Sequence, residues 1–201
     1  MAMAKPSEWL NLERVGYVVN AGFSDENSLI LDNLNSDLQT EYGDAVFSAP
    51  RHTLHITLMD WITPGYVQNG EDKDELFDDI EARYSDSLNN ALKNIGKISV
   101  RFSQIRVDPS TIIILGQDDG QFQQIREKFV KNLDLIPDTK PIPNIIHSSL
   151  ARFAKPIELE RVESFIDSNK IDFTQNISEF RLVRSSKQPI LDFEVVKLFK
   201  L

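Results

Sequence analysis

The sequence predicts an α+β protein of two pseudo-symmetric lobes, each an antiparallel sheet with helices packed outside it, and a cleft between the lobes. Three observations predict this fold. Strand-like runs alternate with helical stretches, the order strand, helix, histidine-containing strand occurs twice, and no linker or low-complexity segment interrupts the 201 residues. We therefore expect residues 1–201 to form a single domain with an internal duplication.

The first half of the chain contains two predicted strands and two predicted helices. Residues 15–19, VGYVV, are apolar throughout and indicate a short buried strand. Leucines at helical spacing predict a helix over residues 25–42. The first histidine strand, HTLHITLMDW, covers residues 52–61, and a polar turn separates it from a second helix over residues 74–95.

The second half repeats the order strand, helix, histidine strand, beginning with the second strand of a hairpin. The hairpin strands are residues 97–107 and 111–116, which flank a turn at Asp108-Pro109-Ser110. The elements that follow are a helix over residues 121–133, a break at Pro141 and Pro143, the second histidine strand over residues 145–153, a short helix over residues 157–167, and two closing strands, SEFRLVRS and LDFEVVKLF.

Composition limits the classes of partner. The formal net charge of −9 argues against tight binding of a long nucleic acid, because such binding gains its affinity from lysine and arginine. A small anionic ligand in a local pocket remains compatible with this charge. The absence of cysteine removes disulfides and thiolate catalysis. Without a signal-like or membrane-spanning apolar run, we expect a cytoplasmic protein that binds no membrane.

The two histidine strands repeat one arrangement of side chains. Residues two apart on a strand share a face, so His55 and Thr57 lie together, as do His147 and Ser149. The imidazole and the hydroxyl of each pair are about 6–7 Å apart along the strand. Two such strands across a cleft would place two imidazoles and two hydroxyls around one centre.

This constellation suits phosphodiester chemistry without a metal or cofactor. One neutral imidazole removes a proton from the attacking oxygen, and the other, protonated, donates a proton to the leaving oxygen. Histidine is suited to both roles because its unperturbed pKa of about 6.5 keeps both forms accessible near neutral pH. The hydroxyls can donate hydrogen bonds to the phosphoryl oxygens.

The tetrapeptides HITL and HSSL resemble the paired H-Φ-[S/T]-Φ signature of the 2H phosphoesterase superfamily, where Φ is an apolar residue. The resemblance extends from about Val15 to Leu198. It implies that His55 and His147 are the catalytic pair of an active-site cleft, and that Thr57 and Ser149 bind phosphate. The implied substrate is a 2′,3′-cyclic phosphate, or a related cyclic or 2′-5′ phosphodiester, on a small nucleotide or an RNA end.

Three other interpretations remain open at this point. A nucleotide- or RNA-end-binding module would keep the cleft without turnover, and an adaptor protein would bind no ligand. A zinc site could use His52, His55, His147 and a carboxylate. Strand alternation argues against zinc, because His52 and His55 would point to opposite faces, and it favours a structural or surface role for His52. The sequence leaves open the oligomeric state and which histidine is the base.

Several residues near the motifs have ambiguous roles. Trp61 and Phe153 would share a face with the histidines, but six residues span about 20 Å of strand, so core packing is the better interpretation. Tyr17 and Phe23 are alternative platforms for a nucleobase. Arg51 and Arg152 flank the motifs and could neutralise phosphate, but an exposed or ion-paired arginine is the default interpretation, and Arg152 should alternate away from the cleft. Ser148 departs from the apolar position of the motif but should face away from the cleft.

Overall fold

The structure, a computed structural model, describes residues 2–10, 12–65, 72–131, 133–136 and 142–201. The predicted polar turn after the first histidine strand includes residues 66–71, and the predicted break includes Pro141. Residues 66–71 and Pro141 lie outside the described residues.

The strands are β1 Leu12–Gly22, β2 Val46–Ser48, β3 His55–Ile62, β4 Ile98–Asp108, β5 Thr111–Gln117, β6 Ile146–Phe153, β7 Phe173–Ile177, β8 Glu179–Gln188 and β9 Glu194–Lys200. The helices are α1 Asp25–Tyr42, α2 Lys73–Leu92, α3 Gln121–Val130 and α4 Leu159–Ser168.

The strands form two antiparallel sheets, which confirms the predicted α+β fold of two lobes. One sheet has the order β3-β1-β8-β9, and the other has the order β2-β6-β5-β4-β7. The two histidine strands, β3 and β6, therefore belong to different sheets. They lie alongside each other, with Cα atoms of the two strands within 8 Å.

Local signals explain why helix α1 has its predicted bounds. The Oγ of Ser24 accepts a hydrogen bond from the backbone N–H of Asn27 at 3.3 Å and so caps the first turn. At the other end, Gly43 has a φ of 55°, a left-handed value that favours glycine and ends the helix. Leu31, Leu34 and Leu38 lie between these ends and are buried.

The other helices follow the prediction with shifted ends, while two strands were not predicted. Strand β2 has only three residues, too few for a periodic pattern. Strand β7, FTQNI, buries the polar side chain of Gln175, whose carbonyl oxygen accepts hydrogen bonds from the Asn27 side chain and the Ser24 backbone. Contacts with residues distant in the sequence stabilise β7, so the local sequence of this strand is only a weak predictor of it.

The helices cover the outer faces of the two sheets. Helices α2 and α3 pack on the sheet that contains β3, whereas α1 and α4 contact the other sheet. An aromatic cluster centred on Trp61 joins α2 and α3 to the first sheet; its members are Trp61, Phe77, Tyr84, Phe129 and Phe199. Among the described residues, no helix is long and apolar enough to cross a membrane.

Candidate active site

A cleft of about 420 Å³ lies where strands β3 and β6 approach each other, and it is lined by all four predicted site residues. His55 and Thr57 enter it from β3, while His147 and Ser149 enter it from β6. All four side chains are half-buried, whereas the residues between them, such as Ile56 and Ser148, are buried in the core. The alternation predicted for the start of each histidine strand is therefore present.

A β-bulge interrupts this alternation at the same place in each histidine strand. On β3, Thr57 pairs with Asn20 and Met59 pairs with Val19, so Leu58 is an extra residue. On β6, Ser149 pairs with Ile113 and Ala151 with Ile112, so Leu150 is the extra residue. One extra residue turns every later side chain to the other face of the strand.

Because of the bulges, the prediction of which residues line the cleft is wrong for the later part of each histidine strand. Strict alternation would place Met59 and Trp61 beside His55, and Ala151 and Phe153 beside His147, but all four are core residues. Trp61 is 1% exposed and Phe153 is 0% exposed. Core packing, the preferred interpretation of both aromatic residues, is confirmed, although the reason is the bulge and not the distance.

Asp60 and Arg152 take the places on the cleft face that the bulges open. The expectation that Arg152 alternates away from the cleft is wrong, and alternation along the strand does not predict Asp60 in the cleft either. Each stands three residues after the cleft hydroxyl of its own strand, so the two strands place opposite charges at equivalent positions. The sequence carries no signal for this, because a bulge is defined by the register of the neighbouring strand.

His55 is held in one tautomer by the chain that precedes it. Its Nδ1 lies 2.7 Å from the carbonyl oxygen of Thr53. A carbonyl can only accept, so Nδ1 carries the proton, and in the neutral ring the lone pair is on Nε2. Burial lowers the pKa of His55 below its ordinary value of 6.5; the hydrogen bond to Thr53 acts in the opposite direction, and the positive charges of Arg181 and Arg152 add to the lowering. His55 is therefore neutral at pH 7 and has a free basic nitrogen.

Arg152 brings a positive charge into the cleft. Its Nη1 donates to the Oγ of Ser7 at 3.4 Å, and burial lowers the pKa of the guanidinium. Within the described parts of the chain, no carboxylate lies within 4 Å of Arg152. A half-buried guanidinium without a carboxylate is suited to bind an anionic ligand.

Arg126 of helix α3, which sequence reasoning missed, holds the two histidine strands together from behind. Its side chain is 2% exposed. The guanidinium donates to the carbonyl oxygens of Leu58 at 2.8 Å, Thr57 at 3.2 Å and Ile145 at 3.1 Å. It therefore binds the backbone at the β3 bulge and the residue before β6. Burial lowers the pKa of Arg126 to about 10, which still leaves it charged at neutral pH.

The other candidate residues lie at different distances from the cleft. Trp9 lines the cleft and is half-buried, and the Arg106–Asp108 ion pair of strand β4 also lines it. Tyr17 is not a base platform, because it is buried, stacks on Phe77 and donates its hydroxyl to Asp74. A neighbouring pocket contains Phe23, Arg51 and His52.

His52 precedes strand β3 instead of belonging to it. It lies in a 3₁₀ turn, Arg51–Thr53, and is exposed. The turn directs His52 to the neighbouring pocket and His55 to the cleft. Across the described residues, no group of three histidine, cysteine or acidic side chains is close enough to hold a metal ion.

Comparison with known proteins gives a clear result for the fold. No protein-family model matches the chain, and no curated protein matches it in sequence. The protein TT0787 of Thermus thermophilus is 16% identical, with a TM-score of 0.61 over 92% of this chain and 97% of that chain. A protein described as a phosphoesterase is 14% identical, with a TM-score of 0.62 over 92% and 98%. E. coli LigT in complex with phosphate is 13% identical, with a TM-score of 0.57 over 94% and 99%.

These three proteins are members of the 2H phosphoesterase superfamily. The alignments cover nearly the whole of each chain, so the likeness in fold includes both sheets. The chain therefore shares its two-lobed fold with these three proteins, and this is the fold that the resemblance of its paired histidine motifs implies.

Proposed function

We propose that the protein is a metal-independent phosphoesterase that opens a 2′,3′-cyclic phosphate, or a related cyclic or 2′-5′ phosphodiester, on a nucleotide or RNA end. The observation that carries the proposal is the meeting of His55, Thr57, His147 and Ser149 in one cleft between the two sheets. The fold supports it, and so does E. coli LigT, which has been crystallised with phosphate and with 3′-AMP.

The environment of His55 suits it to the role of general base. Its neutral ring has a lone pair on Nε2, because Nδ1–H donates to Thr53. In hydrolysis, Nε2 takes a proton from water as the water oxygen forms a bond to phosphorus. The bond from phosphorus to one ribose oxygen then breaks, and His147 on the opposite strand donates the proton which that oxygen needs.

The groups around the histidines suit the binding of the phosphoryl oxygens. Thr57 and Ser149 provide hydroxyl donors, one from each strand, and Arg152 provides a guanidinium. Charge on the phosphoryl oxygens increases as water attacks, so these donors stabilise the transition state more than the bound substrate. Every group in this mechanism belongs to the chain, and no step needs a metal ion.

The test is hydrolysis of a panel of nucleoside 2′,3′-cyclic phosphates and a 2′-5′ dinucleotide in EDTA. The wild type should turn over at least one of them, and His55→Ala and His147→Ala should each lower the rate by at least about 100-fold. Both variants should melt as cooperatively as the wild type. Activity that disappears with EDTA and returns with added metal would contradict the proposal. Thermal stabilisation by nucleotides without turnover would favour a binding module instead.

A further inference from the structure

A second pocket with cationic walls adjoins the cleft beyond His55. It has a volume of about 570 Å³ and is lined by Gly22, Phe23, Arg51 and Arg181, together with Asp25, Ser28, His52 and Leu54. His55 pairs with Gly22 across strands β3 and β1, and Leu54 directly precedes His55. The pocket therefore begins next to the proposed general base. The proposed mechanism assigns no role to any of the residues that line it.

Arg181 of strand β8 is held rigidly in this pocket. Its Nε donates to the Oδ1 of Asn20 at 2.7 Å. Its guanidinium carbon lies 4.7 Å from the centre of the Phe193 ring. Cζ, Nη1 and Nη2 are each 3.5 Å from the point that a Cβ on Gly22 would occupy, so the flat guanidinium lies over the glycine. A side chain fixed in this way loses little freedom when it binds a ligand.

No carboxylate in the described parts of the chain lies within 4 Å of Arg181, and Glu179, two residues earlier on the same strand, acts on its charge only from a greater distance. Arg184, three residues later on the same strand, differs: it makes two hydrogen bonds to the carboxylate of Asp74, at 2.9 and 2.6 Å. Arg181 is half-buried, and a half-buried cation without a carboxylate is favourable for binding an anion.

The position of Arg181 relative to the cleft indicates that the anion is a second phosphate of the ligand bound in the cleft. Thr57, Asn20 and Arg181 are register partners on the adjacent strands β3, β1 and β8, so they share one face of the sheet. Strands are about 4.8 Å apart, which places Arg181 about 10 Å from Thr57. A phosphate bound at Thr57 and a second one at Arg181 could thus belong to one ligand.

A second guanidinium, that of Arg51, lines the same pocket. The first turn of α1 holds it: Nε donates to the Oγ of Ser28 at 3.0 Å and Nη2 to the carbonyl oxygen of Asp25 at 2.9 Å. The Asp25 carboxylate, 3.8 Å away and fully exposed, offsets part of this charge. Phe23 adds a half-buried ring. Cationic groups beside an aromatic ring are typical of sites for single-stranded nucleic acid.

We propose that this pocket binds the 5′-phosphate of the nucleotide that carries the cyclic phosphate, and that the physiological substrate is therefore an oligoribonucleotide end. Arg181 and Arg51 bind that phosphate, and Phe23 contacts the preceding nucleoside. The inference rests on the proposed function and adds a second phosphate to its substrate. Two local guanidinium groups suffice for this contact despite the net charge of −9.

Three substrates that share one reacting group test the inference. They are a nucleoside 2′,3′-cyclic phosphate, the same compound with a 5′-phosphate, and a dinucleotide that ends in the cyclic phosphate. For the wild type, kcat/KM should rise by about tenfold when the 5′-phosphate is added, the gain expected of one charged hydrogen-bonding contact. Arg181→Gln should remove this gain. Loss of the Arg181 charge also changes the pKa of His55, but this change affects all three substrates equally, because they react at the same histidines. It therefore cancels in the ratio of kcat/KM with the 5′-phosphate to kcat/KM without it.

Arg101→Gln is the matched control, since it removes a single exposed arginine of strand β4 that is paired with the exposed Asp172. It should leave the ratio unchanged. The inference is overturned if the 5′-phosphate brings no gain in the wild type, or if Arg181→Gln lowers kcat/KM equally for all three substrates. If no compound is turned over, the proposed function fails. Calorimetric titration of the same three compounds then decides the inference: the 5′-phosphate should tighten binding to the wild type and not to Arg181→Gln.

Discussion

Leu58 on strand β3 and Leu150 on strand β6 are each the extra residue of a β-bulge, and each directly follows a hydroxyl residue of the cleft. Because the bulges occur at equivalent places, both histidine strands change faces at the same step. Asp60 and Arg152 enter the cleft as a result, and the aromatic residues Trp61 and Phe153 enter the core. The bulges thus decide the charge of the cleft floor and the packing behind it.

Arg152→Gln should lower kcat by about 100-fold, the usual cost of removing one donor that stabilises charge in a transition state. The variant should remain folded, because Arg152 has no carboxylate within 4 Å among the described residues, so its loss removes a desolvation penalty. Steady-state kinetics and a thermal melt would check both statements. Arg101→Gln again serves as the control. Activity within twofold of the wild type would show that Arg152 does not contact the reacting phosphate.

The pH dependence of kcat/KM should show an acidic limb below pH 6.5. A general base must be neutral, and burial together with Arg181 and Arg152 lowers the pKa of His55 from 6.5. Activity is therefore fully present above the lowered pKa and is lost as the pH falls through it. Removing the charge of Arg152 should move this limb to higher pH in the Arg152→Gln variant. A limb at or above pH 6.5 in the wild type would contradict the assignment of His55 as the base.

Ser149→Ala and Thr57→Val should each lower kcat/KM by about tenfold, because each removes one hydrogen-bond donor to the phosphoryl group. The chain contains a matched control next to one of them. Ser148 is 1% exposed, lies on the opposite face of β6, and its Oγ has no hydrogen-bond partner among the described residues. Ser148→Ala should leave kcat/KM unchanged. Equal effects of Ser148→Ala and Ser149→Ala would mean that strand packing, and not the cleft hydroxyl, determines the rate.

Arg126→Met should lower both stability and activity. The substitution leaves the carbonyl oxygens of Leu58, Thr57 and Ile145 without their charged donor, which should reduce the free energy of unfolding by roughly 2–4 kcal/mol. Urea unfolding measures this loss. Under conditions where the variant is still folded, kcat should also fall, because the β3 bulge is no longer held against β6. Unchanged kcat in the folded variant would show that the bulge keeps its shape without Arg126.

The parts of the site that could be predicted depend on short stretches of sequence. His55 with Thr57, and His147 with Ser149, follow from alternation over three residues, which the structure retains. Arg152 is only three residues further along β6 but was placed on the wrong face, because the bulge at Leu150 intervenes. Arg126 and Arg181 are separated from the motifs by many residues, and the local sequence around each arginine does not indicate which residues it contacts.

The sequence by itself determined the α+β class, most of the helices and strands, and the two pairs of histidine and hydroxyl residues. These features depend on local periodicity and on local caps such as Ser24 and Gly43. Only the tertiary structure decided which face Asp60, Arg152, Trp61 and Phe153 occupy. The reason is physical: the face of a side chain beyond a bulge depends on the hydrogen-bond register with another strand, and that register is set by contacts between residues far apart in the chain.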